Sequence, residues 1–125
     1  MTLENRILLA LIAVTFVFYL IKLATRITAP QVAKLLSQGA IVIDVRSPQE
    51  FDSGSLPGAV NLPLDEITDR IKSVAPDKDK PLLLHCLSGT RSGMARSRLK
   101  AQGYTNVHNL GSLSRAAFLL QPKDT

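Results

Sequence analysis

Pro81-Leu82-Leu83-Leu84-His85-Cys86-Leu87-Ser88-Gly89-Thr90-Arg91-Ser92 is the stretch that decides the fold. Its apolar head, Pro81 to Leu84, is too short for a helix and reads as a strand buried on both faces, as in a parallel sheet. The chain turns at Cys86. Ser88, Gly89 and Thr90 are turn formers, and from Ser92 onward Met94, Ala95, Leu99 and Ala101 form a helical stripe. This order of strand, tight loop and helix puts a thiol at the mouth of the unit. Successive backbone N–H groups in such a loop, with the positive end of the following helix, make a cradle for an anion, and the first anion it would hold is the thiolate itself.

Cys86 is the only cysteine of the 125 residues. Two readings compete for it. A free thiol is commonly a small buried hydrophobe. A cysteine at a helix N-terminus beside an arginine instead has its pKa lowered, and the thiolate is the nucleophile. Gly89 and Arg91 stand where a cradle needs them, so the reactive reading is preferred. Arg91 then either attracts an anionic substrate or braces the loop through a carboxylate such as Asp44 or Glu50.

Cys86-Leu87-Ser88-Gly89-Thr90-Arg91-Ser92 resembles the active-site loop of single-domain rhodaneses, Cys-x-x-Gly-x-Arg-Ser. Ile43-Asp44-Val45-Arg46-Ser47-Pro48-Gln49-Glu50-Phe51 and Gly54-Ser55-Leu56-Pro57-Gly58-Ala59-Val60-Asn61-Leu62-Pro63 resemble the family's two upstream signatures, with Ser55 where histidine is usual. The three motifs come in the family's order between about Pro30 and Gly111. The resemblance implies an α/β fold around a five-stranded parallel sheet flanked by helices. It also implies sulfur transfer from thiosulfate, or another persulfide donor, to cyanide or a thiol through a persulfide on Cys86, with Leu87, Ser88, Gly89, Thr90, Arg91 and Ser92 binding substrate.

Upstream of this loop, Thr28-Ala29-Pro30 opens a helix that Gly39 stops, and Ala40 to Val45 is a β-branched strand. Ser47 caps a short helix from Pro48, and Arg46 is expected to pair with Glu50. Asp44 and Arg46 read as a structural ion-pair network near the site, because a carboxylate close to Cys86 would raise the thiol pKa. Ala59 to Asn61 is a short strand, and Pro63 to Val74 a helix with Leu64, Ile67, Ile71 and Val74 inward. Asp77-Lys78-Asp79-Lys80 is a solvated connection. His85, neighbour of Cys86 on a strand, should point away from the thiol's pocket as a core histidine. His108 lies in the last strand, Asn106 to Leu110, and a final helix runs from Leu113 to Leu120 with Ser112 as its cap. Gly111-Ser112-Leu113 stands where many family members have paired glycines and a tryptophan.

The N-terminal part differs in kind from the rest. Ile7 to Ile21 is uncharged and broken only by Thr15, and with Leu23 and Ala24 it reaches the lower range for spanning a bilayer, Lys22 snorkelling to the interface. Its residues are apolar on every face, unlike a helix docked on a core, and the segment before Pro30 offers a poor cleavage site. Residues 1–26 are therefore read as a single-pass membrane anchor and residues 27–125 as the rhodanese-like domain. Lys22, Arg26 and Lys34 favour a cytoplasmic domain by the positive-inside rule. The likeness to small phage-shock-type rhodaneses exported to the bacterial envelope favours the periplasmic side of an inner membrane, and that side is preferred.

One cysteine and two distant histidines give no metal-ligand spacing, so neither metal nor cofactor is expected. The expected partners are a small sulfur donor, a thiol or cyanide acceptor, the membrane through residues 7–24 and, further, a protein acceptor of sulfur; nucleic acid is not among them. Two other functions use the same residues. A membrane-tethered sulfur carrier needs the same reactive Cys86. A phosphatase or arsenate reductase on this fold also uses a thiolate ahead of an arginine, but with five residues between them where this chain has four.

Overall fold

The computed structural model describes residues 1–122; residues 123–125, the end of the expected domain, lie outside the described residues. Helix α1 (Leu3–Ala24) precedes α2 (Ala29–Ser37), β1 (Ile41–Asp44), α3 (Pro48–Asp52), β2 (Val60–Asn61), α4 (Ile67–Val74), β3 (Leu82–His85), α5 (Thr90–Ala101), β4 (Val107–Gly111) and α6 (Leu113–Leu119). The strands form one parallel sheet in the order β2-β1-β3-β4. The sheet has four strands among the described residues, not the five that the resemblance implies. Only four residues, Thr25 to Thr28, separate α1 from α2, and the carbonyl of Ile27 among them accepts from Arg115 at 2.7 Å. That connector goes to α6 and leaves no length for a further strand.

Alternation along β3 divides the core. Leu82 and Leu84 join Ile43, Val45, Ile67, Ile71, Ala95 and Leu99 on the face covered by α4 and α5. Leu83 joins Val32, Val42, Leu110, Ala116 and Leu119 on the face covered by α2 and α6. All four β3 residues are buried, as strands covered on both faces must be. Cys86 carries the even positions forward and lies with the first cluster. The C-terminal ends of β1 and β3 are neighbours, Asp44 standing opposite His85 in register.

Local chemistry sets the helix starts. Gln31 Oε1 accepts from Thr28 N–H at 2.9 Å, and Ser47 Oγ from Glu50 N–H at 3.2 Å while Glu50 Oε1 accepts from Ser47 N–H. Ser112 Oγ caps α6 through Arg115 N–H. Helix α4 begins at Ile67 rather than Pro63, because the chain first turns, Glu66 N–H donating to the Pro63 carbonyl at 2.9 Å.

Helix α1 stands apart from both cores. It has 22 residues, an apolar run from Ile7 to Ile21 and no buried side chain, which makes it a candidate membrane span by length and composition.

Candidate active site

The site is built where β3 runs out. The register between β3 and β4 shifts at Leu84/His85, so that His85 stands opposite Gly111 and Leu110 is skipped. Cys86 N–H donates to the Gly111 carbonyl at 3.2 Å, which fixes the thiol's backbone at the C-terminal end of the sheet. The chain then curls round the sulfur. Gly89, in the left-handed region at φ +99°, is the N-cap of α5 and turns its N–H back to Cys86 Sγ at 3.0 Å. A Cβ at this position would also lie 3.3 Å from Gly111 Cα, so the loop and the end of β4 touch backbone to backbone. Leu113 N–H donates to the Leu87 carbonyl, and Ser88 bridges to Ser112, clamping the loop's outer rim.

Two opposed effects act on the thiol. Burial pushes its pKa up. Hydrogen bonds from the Ser92 hydroxyl, the Ser92 backbone and the backbone N–H groups of Gly89 and Ser88 outweigh that, and the thiol titrates below its ordinary value. Ser92 Oγ lies 3.4 Å from the sulfur and 3.1 Å from the Gly89 carbonyl, and it is completely buried. Its single proton is shared between two acceptors, the sulfur and that carbonyl.

Arg91 lies in the first turn of α5, but its guanidinium leaves the loop. Nη1 and Nη2 donate to Glu50 Oε1 and Oε2 at 2.7 and 3.0 Å. Glu50 is held at about 2 by that guanidinium and then by the Ser47 backbone. Arg91 titrates above its ordinary value, chiefly because of Glu50, and the Cys86 charge adds to the effect. Arg46 is not Glu50's partner, contrary to the expected pairing. It closes on Asp44, with Nε to both carboxylate oxygens at 3.0 Å and Nη2 to Oδ2 at 2.7 Å, and Nη2 also donates to the Gly54 carbonyl. The expected pair would span one helical turn, whereas Asp44 is two residues away at the strand end, where both side chains are buried.

His85 is fully buried. Its Nδ1 stands 3.3 Å from the Cys86 carbonyl, and Nε2 has no hydrogen-bond partner among the described residues, standing 3.8 Å from Asp44 Oδ2. Burial lowers its pKa, against the opposing pull of Asp44. His108 Nε2 meets Asn106 Oδ1 at 2.6 Å. Among the described residues no group of three or more His, Cys, Asp or Glu is suited to hold a metal ion.

Comparison with known proteins agrees with this geometry. Residues 28–114 match the rhodanese-like domain model. The chain belongs to the rhodanese-like domain family. It is 40% identical over 75 residues to the thiosulfate sulfurtransferase PspE of Escherichia coli (strain K12), covering 60% of this chain and 72% of that one. It is 39% identical over 85 residues to the thiosulfate sulfurtransferase GlpE of Pseudomonas syringae pv. syringae (strain B728a), covering 68% and 78%. Among solved structures, a rhodanese with anions from E. coli superposes with a TM-score of 0.59 at 38% identity, covering 61% of this chain and 89% of that one. The human single-domain sulfurtransferase TSTD1 gives 0.64 at 25%, covering 78% and 97%.

Sequence reasoning missed one contributor to this rhodanese-like loop. Asn109 donates from Nδ2 to the Gly89 carbonyl at 3.3 Å and accepts at Oδ1 from Gly111 N–H at 2.9 Å, tying the loop to the end of β4. The sequence signal for it is an asparagine two residues before a glycine, the spacing at which an Asx side chain meets its own backbone.

Proposed function

We propose that this sulfurtransferase works through a persulfide on Cys86. The observation that carries the reading is a buried sulfur at the centre of its own loop, receiving the Gly89 N–H at 3.0 Å. Thiolate Sγ attacks the outer sulfur of thiosulfate. The S–S bond of thiosulfate breaks, sulfite leaves with the bonding pair, and a Cys86 persulfide remains. Cyanide or a thiolate then attacks the terminal sulfur and returns Cys86 as thiolate, ready for the next turnover. The N–H groups of Leu87 to Ser92 and the start of α5 stabilise the negative sulfur throughout.

Arg91 supports this loop in two ways on the proposal: its backbone belongs to the cradle, and its guanidinium, neutralised by Glu50, braces α5 against α3. This arrangement disfavours the phosphatase reading, which needs a guanidinium free to grip a tetrahedral oxyanion. Asp44 and Arg46 form the neighbouring structural brace. The chain divides on this reading into an anchor, residues 1–26, and the rhodanese-like domain, residues 27–125. The anchor crosses an inner membrane once and holds the domain on the periplasmic side, the placement that the likeness to exported envelope rhodaneses supports.

The test is Cys86→Ser. It abolishes thiocyanate production from thiosulfate and cyanide, and it removes the adduct of about 32 Da, one sulfur atom, that thiosulfate leaves on the parent chain. A variant with the parent's rate would end the proposal. Turnover of many equivalents of acceptor by the parent separates an enzyme from a carrier loaded once.

A further inference from the structure

A cleft of about 1240 Å³ lies between the C-terminal end of α1 and the β4 edge of the sheet. Ser88, Gly89 and Thr90 of the sulfur loop open into it. Its charge is one-sided: Lys22, Arg26, Arg96 and Arg115 line it, and among the described residues no carboxylate does. Met94 on α5 and Phe118 on α6, 47% and 65% exposed, add apolar side chains to its two flanks.

The end of α1 cannot wander far from this cleft. Four residues join it to α2, a reach of about 13 Å when fully extended. Midway, Ile27 is held by Arg115 and packs on the core beneath α6. The apolar run from Ile7 to Ile21 covers about 22 Å as a helix. Lys22 and Arg26 therefore stand at headgroup level when that run lies in a bilayer, and the wall they form is the membrane surface. The opposite wall carries Arg96, Arg115, Met94 and Phe118.

We propose that the active-site face of this domain lies against the headgroup layer of an anionic leaflet, so that the sulfur loop opens onto the membrane surface rather than into bulk solvent. The proposal rests on the anchored reading of α1. It commits to anionic lipid because Arg96 and Arg115 face the layer in which Lys22 and Arg26 stand, with no carboxylate among the described lining residues.

The test uses the full chain with Cys86→Ser and Met94→Cys, labelled with an environment-sensitive fluorophore. Phe118→Cys serves as a second reporter, and Lys72→Cys, on the solvent side of α4, as the remote one. Vesicles of phosphatidylcholine, with or without phosphatidylglycerol, carry a headgroup-level nitroxide in both leaflets. Retention through an alkaline wash is scored on the same samples. We expect retention in both lipids, strong quenching at Met94 and Phe118 with phosphatidylglycerol that weakens in its absence and as salt rises, and little quenching at Lys72. Retained protein whose Met94 and Phe118 probes are quenched no more than Lys72 overturns the orientation and leaves the anchor standing. Equal quenching in the two lipids overturns the commitment to anionic lipid. Protein lost to the wash removes the anchor and this proposal together.

Discussion

Ser92→Ala separates the chemistry of the loop from its architecture. Alanine is a better helix former than serine and leaves no buried donor behind. The Gly89 carbonyl, which loses one partner, still accepts from Gly93 N–H at 3.1 Å and Asn109 Nδ2 at 3.3 Å. The fold should therefore lose no more than about 1 kcal/mol, the net worth of one ordinary hydrogen bond. The thiolate loses more. A hydrogen bond to a charged group contributes about 1.5–3 kcal/mol, and the 3.4 Å separation from Sγ puts Ser92 at the weaker end. With about 1.4 kcal/mol to each factor of ten, the thiolate fraction should fall about tenfold wherever the thiol is still mostly protonated, and attack on thiosulfate should slow about threefold, because a thiolate of higher pKa is the better nucleophile. The sign follows from the balance of effects: burial, which raises the thiol pKa, remains, while one of the hydrogen bonds opposing it is gone. The rate lost at lower pH should be regained at higher pH, once the variant's thiol ionises. The assay is the pH profile of kcat/KM for thiosulfate, with alkylation of Cys86 by iodoacetamide followed in parallel. Both profiles should move to higher pH together. A folded variant with unmoved profiles would show that the Ser92 proton stays on the Gly89 carbonyl and that the backbone alone sets the thiol.

Three further outcomes are expected. Because Glu50 ionises at about 2 in the folded chain against an ordinary value of 4.5, its pairing with Arg91 stabilises the fold above 4.5 and is lost as pH falls toward 2; thermal melts across that range should lose more for the parent than for Glu50→Gln. Arg91→Ala should lower both the denaturant midpoint and the rate, and Arg91→Lys should recover only part of each, since an ammonium cannot reproduce the two-point contact with Glu50; unchanged stability in either variant would remove the brace. Tyr104→Phe, which deletes a buried 2.7 Å hydrogen bond to the Ala75 carbonyl far along the chain from the loop, should cost about 1–3 kcal/mol in urea melts and leave kcat/KM for thiosulfate untouched.

What the sequence made legible was whatever depends on neighbours along the chain. The apolar run Leu82 to Leu84 is a buried strand because nothing polar interrupts it. Ser47 and Ser112 cap helices because each stands just ahead of one, and Gly89 takes the turn that no other residue type would take as cheaply. The pairings of charged side chains were harder. Glu50 is equally able to meet Arg46, four residues back, and Arg91, 41 residues on, and only the sheet order, which brings the end of β1 beside β3, decides between them. The resemblance carried the fifth strand in, although the residues themselves supply four. Asn109 escaped notice because its partners, Gly89 and Gly111, meet only after β4 has paired with β3.

The electrostatic layout explains why so basic a chain can keep a reactive thiolate from being trapped by its own cations. Arg91, in the loop itself, is matched by Glu50, and Arg46, at the neighbouring strand end, by Asp44, in contacts of 2.7–3.0 Å. Direct contact of a free guanidinium with the sulfur would lower the thiol pKa further, but it would also hold the thiolate in place and weaken it as a nucleophile, since nucleophilicity falls with pKa. Backbone N–H groups do less and suit the task better. They stabilise the negative charge without forming an ion pair, and they remain in position when that charge moves one atom outward to the terminal sulfur of the persulfide. The net charge of +5 is then expressed away from the reacting atom, partly along the cleft, where it does not neutralise the nucleophile. Uncharged donors at the sulfur, with the cations held away from it, let a single loop accept a dianionic donor, release sulfite and still surrender its sulfur to the next thiolate.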